Sequence, residues 1–563
     1  MEILGSPGPS AHKWRMALIP VVLVQLGWFL VVARHRLIDG DEGFYLMASK
    51  LIWQGQMPYR DFFFTQMPLL PVMYGLWFQI AGTSWIAARA LSAFFTTILG
   101  TVMYVHVSKE TGKWAAGVIA VLLLVSSTHV FAWMTIVKTY ALSTLLLFLA
   151  YITITRHRST GSQRAFGIAG LLLGLSADVR LYFAGLFPVL ILWILTAPEI
   201  RARRRALVGF AAGFALAVLP NIYFFALDPS AYVFDNLGFR AASSGGGFIG
   251  DFSDKLDTLY WLFRTRGSGN GAQFGILCIL CGLGFLFRRP ASARLATYIA
   301  VTLISISLLP APSLTQYFCV AVPFLIVVAV EPLNGIRTPL AVAGASVLLL
   351  VFVAASIKDV QRFLSSGEDV IGVSRPRLAV NFRLDSVVAM SHRLDECASP
   401  GEPVMSLWPG YLVQSKTQPL PGFENNTARE LTRTISSERM FRYHIVSPSR
   451  IEALLRAHIP RLVVVGNQES MSSEFDTASY EGMLLESGYR RDYQLGTASL
   501  WIVGQAIALC GLPTRSLAGD KNRSPAPHLP ATAAPPESSA HPNSSTRPSS
   551  GRSRRPLPPR SAA

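Results

Sequence analysis

Four carboxylates lie in two short stretches of this sequence, Ile38-Asp39-Gly40-Asp41-Glu42-Gly43-Phe44-Tyr45 and Pro58-Tyr59-Arg60-Asp61-Phe62-Phe63. A carboxylate crowded by other acids and partly withdrawn from water has its pKa raised toward the range where it accepts a proton from a hydroxyl nucleophile. Any of the four, Asp39, Asp41, Glu42 or Asp61, could serve in that chemistry. The same spacing also fits a purely structural pattern. Asp39 or Asp41 can cap a helix, Glu42 three positions after Asp39 completes a capping box, and Arg60 can pair with Asp61.

The elements that must hold these acids belong to a membrane protein. The chain of 563 residues is 51% hydrophobic and 15% charged, with a mean hydropathy of +0.39, whereas soluble domains carry about 25% charged residues. The net charge of +17 does not imply nucleic acid. The excess Lys and Arg lie in short segments between apolar runs and in the C-terminal tail, which fits membrane orientation. Crossing a bilayer takes roughly 20 apolar residues, and eleven runs approach that length: 14–33, 84–107, 114–130, 136–155, 166–178, 181–197, 206–227, 272–287, 293–310, 316–331 and 338–356. The first runs into Ala33-Arg34-His35-Arg36 with no small-residue cleavage pattern, so it is expected to remain as an anchor. Clusters such as Arg156, Arg158 and Arg164, Arg201 with Arg203 to Arg205, and Arg288, Arg289 and Arg294 fall in alternate connections. They place the N-terminus in the cytoplasm and the chain beyond Ile357 outside.

Residues 1–356 then form a transmembrane domain whose first outer loop, 34–83, carries the acids. Two helices, about 42–54 and 68–81, are expected to lie on the outer membrane surface. A second long outer loop, 228–271, contains Gly/Ser runs at 243–247 and 267–271 and is expected to act as a flexible gate. Residues 357–512 read as a small extracytoplasmic α/β domain, with strands at 403–407, 461–465 and 500–503 and helices at 448–457, capped by Ser447, and 479–487. The Pro-, Ser- and Arg-rich segment 513–563 cannot bury a core and is expected to be disordered. Five scattered cysteines imply neither a disulfide nor zinc.

Asp41-Glu42-Gly43-x-Tyr45, a helix ending at Gly55, then Pro58 to Phe63 and Pro68-Leu69 together resemble the signature of the GT-C membrane glycosyltransferases. The resemblance is to the branch of the protein O-mannosyltransferases and lipid A aminoarabinose transferases. It implies a polytopic α-helical membrane protein with a small C-terminal extracytoplasmic α/β domain, in a bacterial inner membrane. It further implies a sugar donor on polyprenyl phosphate and a hydroxyl acceptor on a lipid, glycan or protein. Transfer would be a single displacement with inversion. On the matching positions Asp41 would be the catalytic acid and Glu42 its companion. Asp61 would orient acceptor or donor, with Tyr59 and Arg60 beside it positioning substrate.

In such a reaction the leaving group is a lipid phosphate, which calls for a cation where a span meets the outer surface. Arg180 follows Gly174-Leu175 as an arginine does in similar proteins, although Asp178 and Arg180 could instead pair at the turn. Lys138 stands where many relatives have an acid, and it could bind phosphate or snorkel to the interface. Gln316-Tyr317 resembles the His-Tyr or Arg-Tyr pair that some relatives place near the phosphate. Gln316 can supply only a hydrogen bond, and Tyr317 also suits the interfacial aromatic belt. No nucleotide-binding loop occurs and no soluble cofactor is implied, while the acid cluster leaves room for a divalent metal. A transporter or flippase of lipid-linked sugars would share the composition, but paired halves with broken midplane segments are not visible. A non-catalytic assembly or sensor protein is the third class. An enzyme requires Asp41 and Arg180 to face one pocket.

Overall fold

The computed structural model describes residues 9–243, 247–264, 270–283, 291–310, 313–335, 338–365, 380–425, 435–466, 477–504 and 510. Each of the eleven apolar runs contains a helix among the described residues. The helices are α1 (Pro9–His35), α4 (Trp85–Thr111), α5 (Trp114–Ser126), α7 (Thr139–His157), α8 (Gln163–Val179), α9 (Leu186–Thr196), α10 with α11 (Arg203–Val218 and Pro220–Leu227), α15 (Gly271–Leu283), α16 (Ala291–Ser307), α17 (Val322–Gly335) and α18 (Pro339–Leu364). Among the described residues α1, α4, α7, the α10–α11 pair and α18 are long and apolar enough to cross a membrane by length and composition. Large apolar side chains stay outward on these helices, with Ile19 68%, Leu216 59% and Leu350 70% exposed. Such surface is unfavourable in water and belongs against lipid. The chain is an integral membrane protein.

Small residues set the closest helix pair. α8 and α10 meet so tightly that a Cβ on Gly170 would lie 1.9 Å from the Phe210 carbonyl oxygen, and one on Gly213 equally close to that of Gly167. Small residues permit this approach where no hydrophobic drive separates helix from lipid. The C-terminal end of α8 is thereby fixed.

Between α1 and α4 the chain forms α2 (Gly40–Trp53) and α3 (Leu69–Ala81). α3 ends at Gly82 and α4 begins after Ser84, whose side chain accepts from the Ala87 N–H. The placement of α2 differs from the expected surface helix: every residue from Glu42 to Leu51 is buried. The reason is the C-terminal part of the chain, which covers α2. Lys50 Nζ donates to the carbonyls of Leu412, Ser415 and Thr417 at 2.8, 2.7 and 2.8 Å.

The segment expected as a long flexible loop is partly helical. Asp228 caps α12 (Pro229–Val233) by accepting from the Ala231 N–H, a π turn spans Phe234–Gly238, and α13 (Phe239–Ser243) and α14 (Gly247–Leu262) follow. Phe234 and Phe239 are buried, and such burial supplies the free energy that a free loop would lack. Of the two Gly/Ser runs, 244–246 and 267–269 lie outside the described residues.

Beyond α18, α19 (Leu384–Cys397) precedes a five-stranded sheet in the order β2-β1-β3-β5-β4. The strands are β1 (Pro403–Ser406), β2 (Gln418–Pro419), β3 (Leu462–Val465), β4 (Tyr489–Leu495) and β5 (Ala498–Val503), with α20 (Ser437–Arg442), α21 (Pro448–Arg456) and α22 (Thr477–Glu486) between them. β1 is parallel to β2 and β3, and β5 runs antiparallel to both β3 and β4. The three expected strands and two expected helices are present, with Ser447 accepting from the Arg450 N–H at the start of α21. β4 escaped the sequence because its burial barely alternates and it carries Arg490 and Arg491. The cysteines require a correction: Cys397 and Cys510 form a disulfide across 113 residues, a separation too long to show as a motif. The tail 513–563 lies outside the described residues.

Candidate active site

The start of α2 resolves which acid caps. Asp39 is the N-cap, its Oδ1 accepting from the Asp41 N–H at 3.1 Å, and Glu42 Oε1 accepts from the Asp39 N–H at 2.8 Å. Glu42 is fully buried and held by Arg89 of α4, with Nε to Oε2 at 2.9 Å and Nη2 to Oε1 at 2.5 Å. The Val137 N–H also donates to Glu42, at 3.0 Å. Arg89 in turn donates to the carbonyls of Ala33, Arg36 and Leu37. Glu42 therefore welds α2 to α1, α4 and the approach to α7.

Asp41 is different. Its side chain is 36% exposed, with Oδ2 3.0 Å from Lys138 Nζ. Lys138, the N-cap residue of α7, also lies 2.8 Å from Asp39 Oδ1 and sits 5.0 Å from the centre of the Trp133 ring. Burial pushes the Asp39 carboxyl up, but Lys138 and Arg36 outweigh it and hold it below the ordinary value. The carboxylates that the sequence offered to a divalent metal thus face Lys138 and Arg89. Among the described residues the one trio spaced to hold an ion is Cys397, Asp492 and Cys510, two of which are joined as the disulfide.

Arg180 ends α8 in an extended conformation. Its guanidinium donates to Thr139 Oγ1 at 2.9 Å and lies 4.9, 4.5 and 4.8 Å from the ring centres of Tyr140, Tyr182 and Tyr317. Asp178 instead accepts from Asn221 Nδ2 at 2.9 Å. Among the described residues no carboxylate pairs with Arg180, and the buried Tyr182 hydroxyl has no hydrogen-bond partner. The guanidinium and the idle hydroxyl are donors from which an anion could accept. The start of α7 links the two groups, since Lys138 pairs with Asp41 and the next residue, Thr139, accepts from Arg180. Gln316 is buried in the same 3₁₀ turn, Thr315–Ala321, as Tyr317.

The second motif serves its own loop. Tyr59 takes a left-handed backbone (φ 70°), is fully buried, and donates from its hydroxyl to the Gln66 carbonyl at 2.6 Å. Asp61 accepts from Arg60 Nε and Nη2 at 2.9 and 2.6 Å and from the Met57 N–H at 2.7 Å, and the Arg60 bonds hold its carboxyl below the usual value. The Phe64 N–H donates to Asp235 Oδ2 at 3.0 Å, tying this loop to the π turn; burial pushes the Asp235 carboxyl well up. Asp235, Arg89 and Tyr182 are given no role by the sequence, and Tyr140 reads there as an interfacial belt residue more readily than as a ligand. Tyr140 and Tyr182 each stand two residues after a candidate cation, which was a usable signal. Arg89 and Asp235 left none, since their partners are 47 and 171 positions away.

Residues 65–224 match the model of the dolichyl-phosphate-mannose-protein mannosyltransferase family. Among solved structures, ArnT from Cupriavidus metallidurans bound to undecaprenyl phosphate matches with a TM-score of 0.61 at 14% identity, over 89% of this chain and 100% of that one. The arabinofuranosyltransferase AftD from Mycobacteria matches with a TM-score of 0.53 at 17% identity, over 87% of this chain and 40% of that one. A search of curated protein sequences finds no match. The fold is like that of ArnT and AftD. The segment 65–224 is in addition similar to the protein mannosyltransferase family, so both comparisons point toward the membrane glycosyltransferases that the first-loop motif resembles.

Proposed function

We propose that this protein transfers a sugar from a polyprenyl-phosphate donor to a hydroxyl of a lipid, glycan or protein at the extracytoplasmic membrane face. The observation that carries the reading is the partly exposed Asp41 carboxylate on Lys138, whose chain neighbour Thr139 accepts from Arg180, a cation that no carboxylate pairs with among the described residues. Asp41 takes the acceptor proton as the hydroxyl oxygen attacks the anomeric carbon. The bond from that carbon to the phosphate oxygen breaks, and the charge left on the lipid phosphate is met by Arg180, with Lys138 beside it. Attack opposite the leaving group inverts the anomeric centre. Undecaprenyl phosphate in the ArnT structure is consistent with that donor class. Glu42 is fully buried on Arg89 and Asp61 is held by two Arg60 nitrogens and the Met57 N–H, whereas Asp41 is partly exposed with its Oδ2 on Lys138, which favours Asp41 as the proton acceptor.

The donor site can be tested apart from chemistry. Arg180→Ala should weaken binding of a polyprenyl-phosphate sugar to purified protein by roughly tenfold to a hundredfold, the range of a charge-assisted contact. Binding equal to that of the unsubstituted protein would remove Arg180 from the site. The membrane face is read from arginine density and is supported by the Cys397–Cys510 disulfide, a bond that persists in oxidising compartments. Cysteines introduced at the exposed positions Gln54, Gly55 or Arg60, or at exposed positions beyond 357, should react with an impermeant reagent in intact cells. Arg203→Cys should not, and its labelling would reverse the orientation.

A further inference from the structure

The peptide unit joining Gly40 to Asp41 is gripped from both ends. Its N–H donates to Asp39 Oδ1 at 3.1 Å, and its carbonyl oxygen accepts from the indole N–H of Trp408 at 2.8 Å. A peptide is planar, so fixing both ends fixes the plane from which the Asp41 side chain leaves. Trp408 lies just beyond β1, far away in sequence, and is itself immobilised. It is fully buried and stacks on Trp85 at 5.9 Å and 23°, and Tyr411 packs edge-on against it at 5.0 Å.

The glycine in Asp41-Glu42-Gly43 has its explanation here. A Cβ at residue 43 would come within 2.8 to 2.9 Å of three atoms of the Trp408 indole, closer than real contacts allow, and a stacked ring has no flexible end to yield. Gly43 is the seat of Trp408. Four further bonds join the same parts: the Ile38 N–H donates to the Phe382 carbonyl at 2.7 Å, and Lys50 donates to the carbonyls of Leu412, Ser415 and Thr417.

We propose that Trp408 is a positioning residue for Asp41, so that the sheet-bearing C-terminal region sets the geometry of the reacting carboxylate through one indole hydrogen bond. The proposal rests on the transferase reading for its effect on rate and stands on its own for the clamp. Proximity effects are steep, with a displacement of about 1 Å able to cost roughly a hundredfold, so a loosened peptide plane is felt in turnover before binding.

Trp408→Phe keeps an aromatic ring and removes the N–H. It should lower kcat about tenfold and leave the donor KM within about twofold. In an Asp41→Asn background the same substitution should cost nothing further, because its effect passes through Asp41. Gly43→Ala, which keeps Trp408 but unseats it, should reproduce the loss. Independently of transfer, backbone hydrogen exchange over residues 41–45 should quicken in Trp408→Phe protein while that of α7 and α8 does not change. Turnover equal to that of the unsubstituted protein, an equal loss in the Asp41→Asn background, or unchanged exchange over 41–45 would each overturn the proposal. Unsubstituted protein that transfers no polyprenyl-phosphate sugar would defeat the transferase reading, and the exchange comparison would still decide the clamp.

Discussion

Asp41→Asn should lower turnover by roughly a hundredfold or more while leaving the fold and donor binding nearly intact. The amide keeps the shape of the carboxylate but cannot take the acceptor proton. Little stability is at risk, because Asp39 caps α2 and Lys138 retains its 2.8 Å partner Asp39. The Asp41 side chain is more than a third exposed, so its pair with Lys138 is partly screened by solvent. The measurement is transfer by purified protein from a polyprenyl-phosphate sugar, with thermal unfolding alongside. A stable, fully active Asp41→Asn protein would exclude Asp41 as the base. Loss of donor binding together with turnover would place Asp41 in the phosphate site.

Arg89→Ala should have the largest effect on stability. It leaves the fully buried Glu42 carboxylate without the cation that contacts both its oxygens, and an uncompensated buried charge costs about 3–5 kcal/mol. The carbonyls of Ala33, Arg36 and Leu37 lose a donor in the same change. Denaturant or thermal unfolding in detergent should register the loss directly. Removing both charges with Arg89→Met and Glu42→Leu should recover much of it, since replacing a buried pair by apolar groups is often close to neutral. An Arg89→Ala protein that unfolds like the original would mean that Glu42 is protonated or hydrated, and its structural role would fall.

The acids of the first loop show how far local pattern reaches. The spacing of Asp39 and Glu42 is a capping box, and the structure forms it, because capping couples residues three apart and needs no distant partner. The GT-C likeness carried by the first-loop motif agrees with the fold matches. The apolar runs that became helices were legible for the same reason, since lipid demands internally hydrogen-bonded segments of a length that composition reveals. So were the strands at 403–406 and 462–465, each a short apolar run between turns.

What separates Asp41 from Glu42, two neighbouring acids in one motif, is written nowhere near them. Glu42 meets Arg89 from α4 and the Val137 amide, whereas Asp41 meets only the rim, where Lys138 stands. Helix phase turns the two side chains about 100° apart, and only the packing of α4 and α7 decides which direction is core and which is open. The burial of α2, the cage of three tyrosines around Arg180, the disulfide to Cys510 and the seating of Trp408 on Gly43 likewise join residues tens to hundreds of positions apart. The sequence by itself determined the membrane class, the helical segments, the cap and a short set of candidate residues, because each depends on neighbours within a few turns. The tertiary structure decided which of the two neighbouring acids is buried on Arg89 and which stays partly exposed on Lys138, because a side chain's surroundings depend on what distant segments place against it.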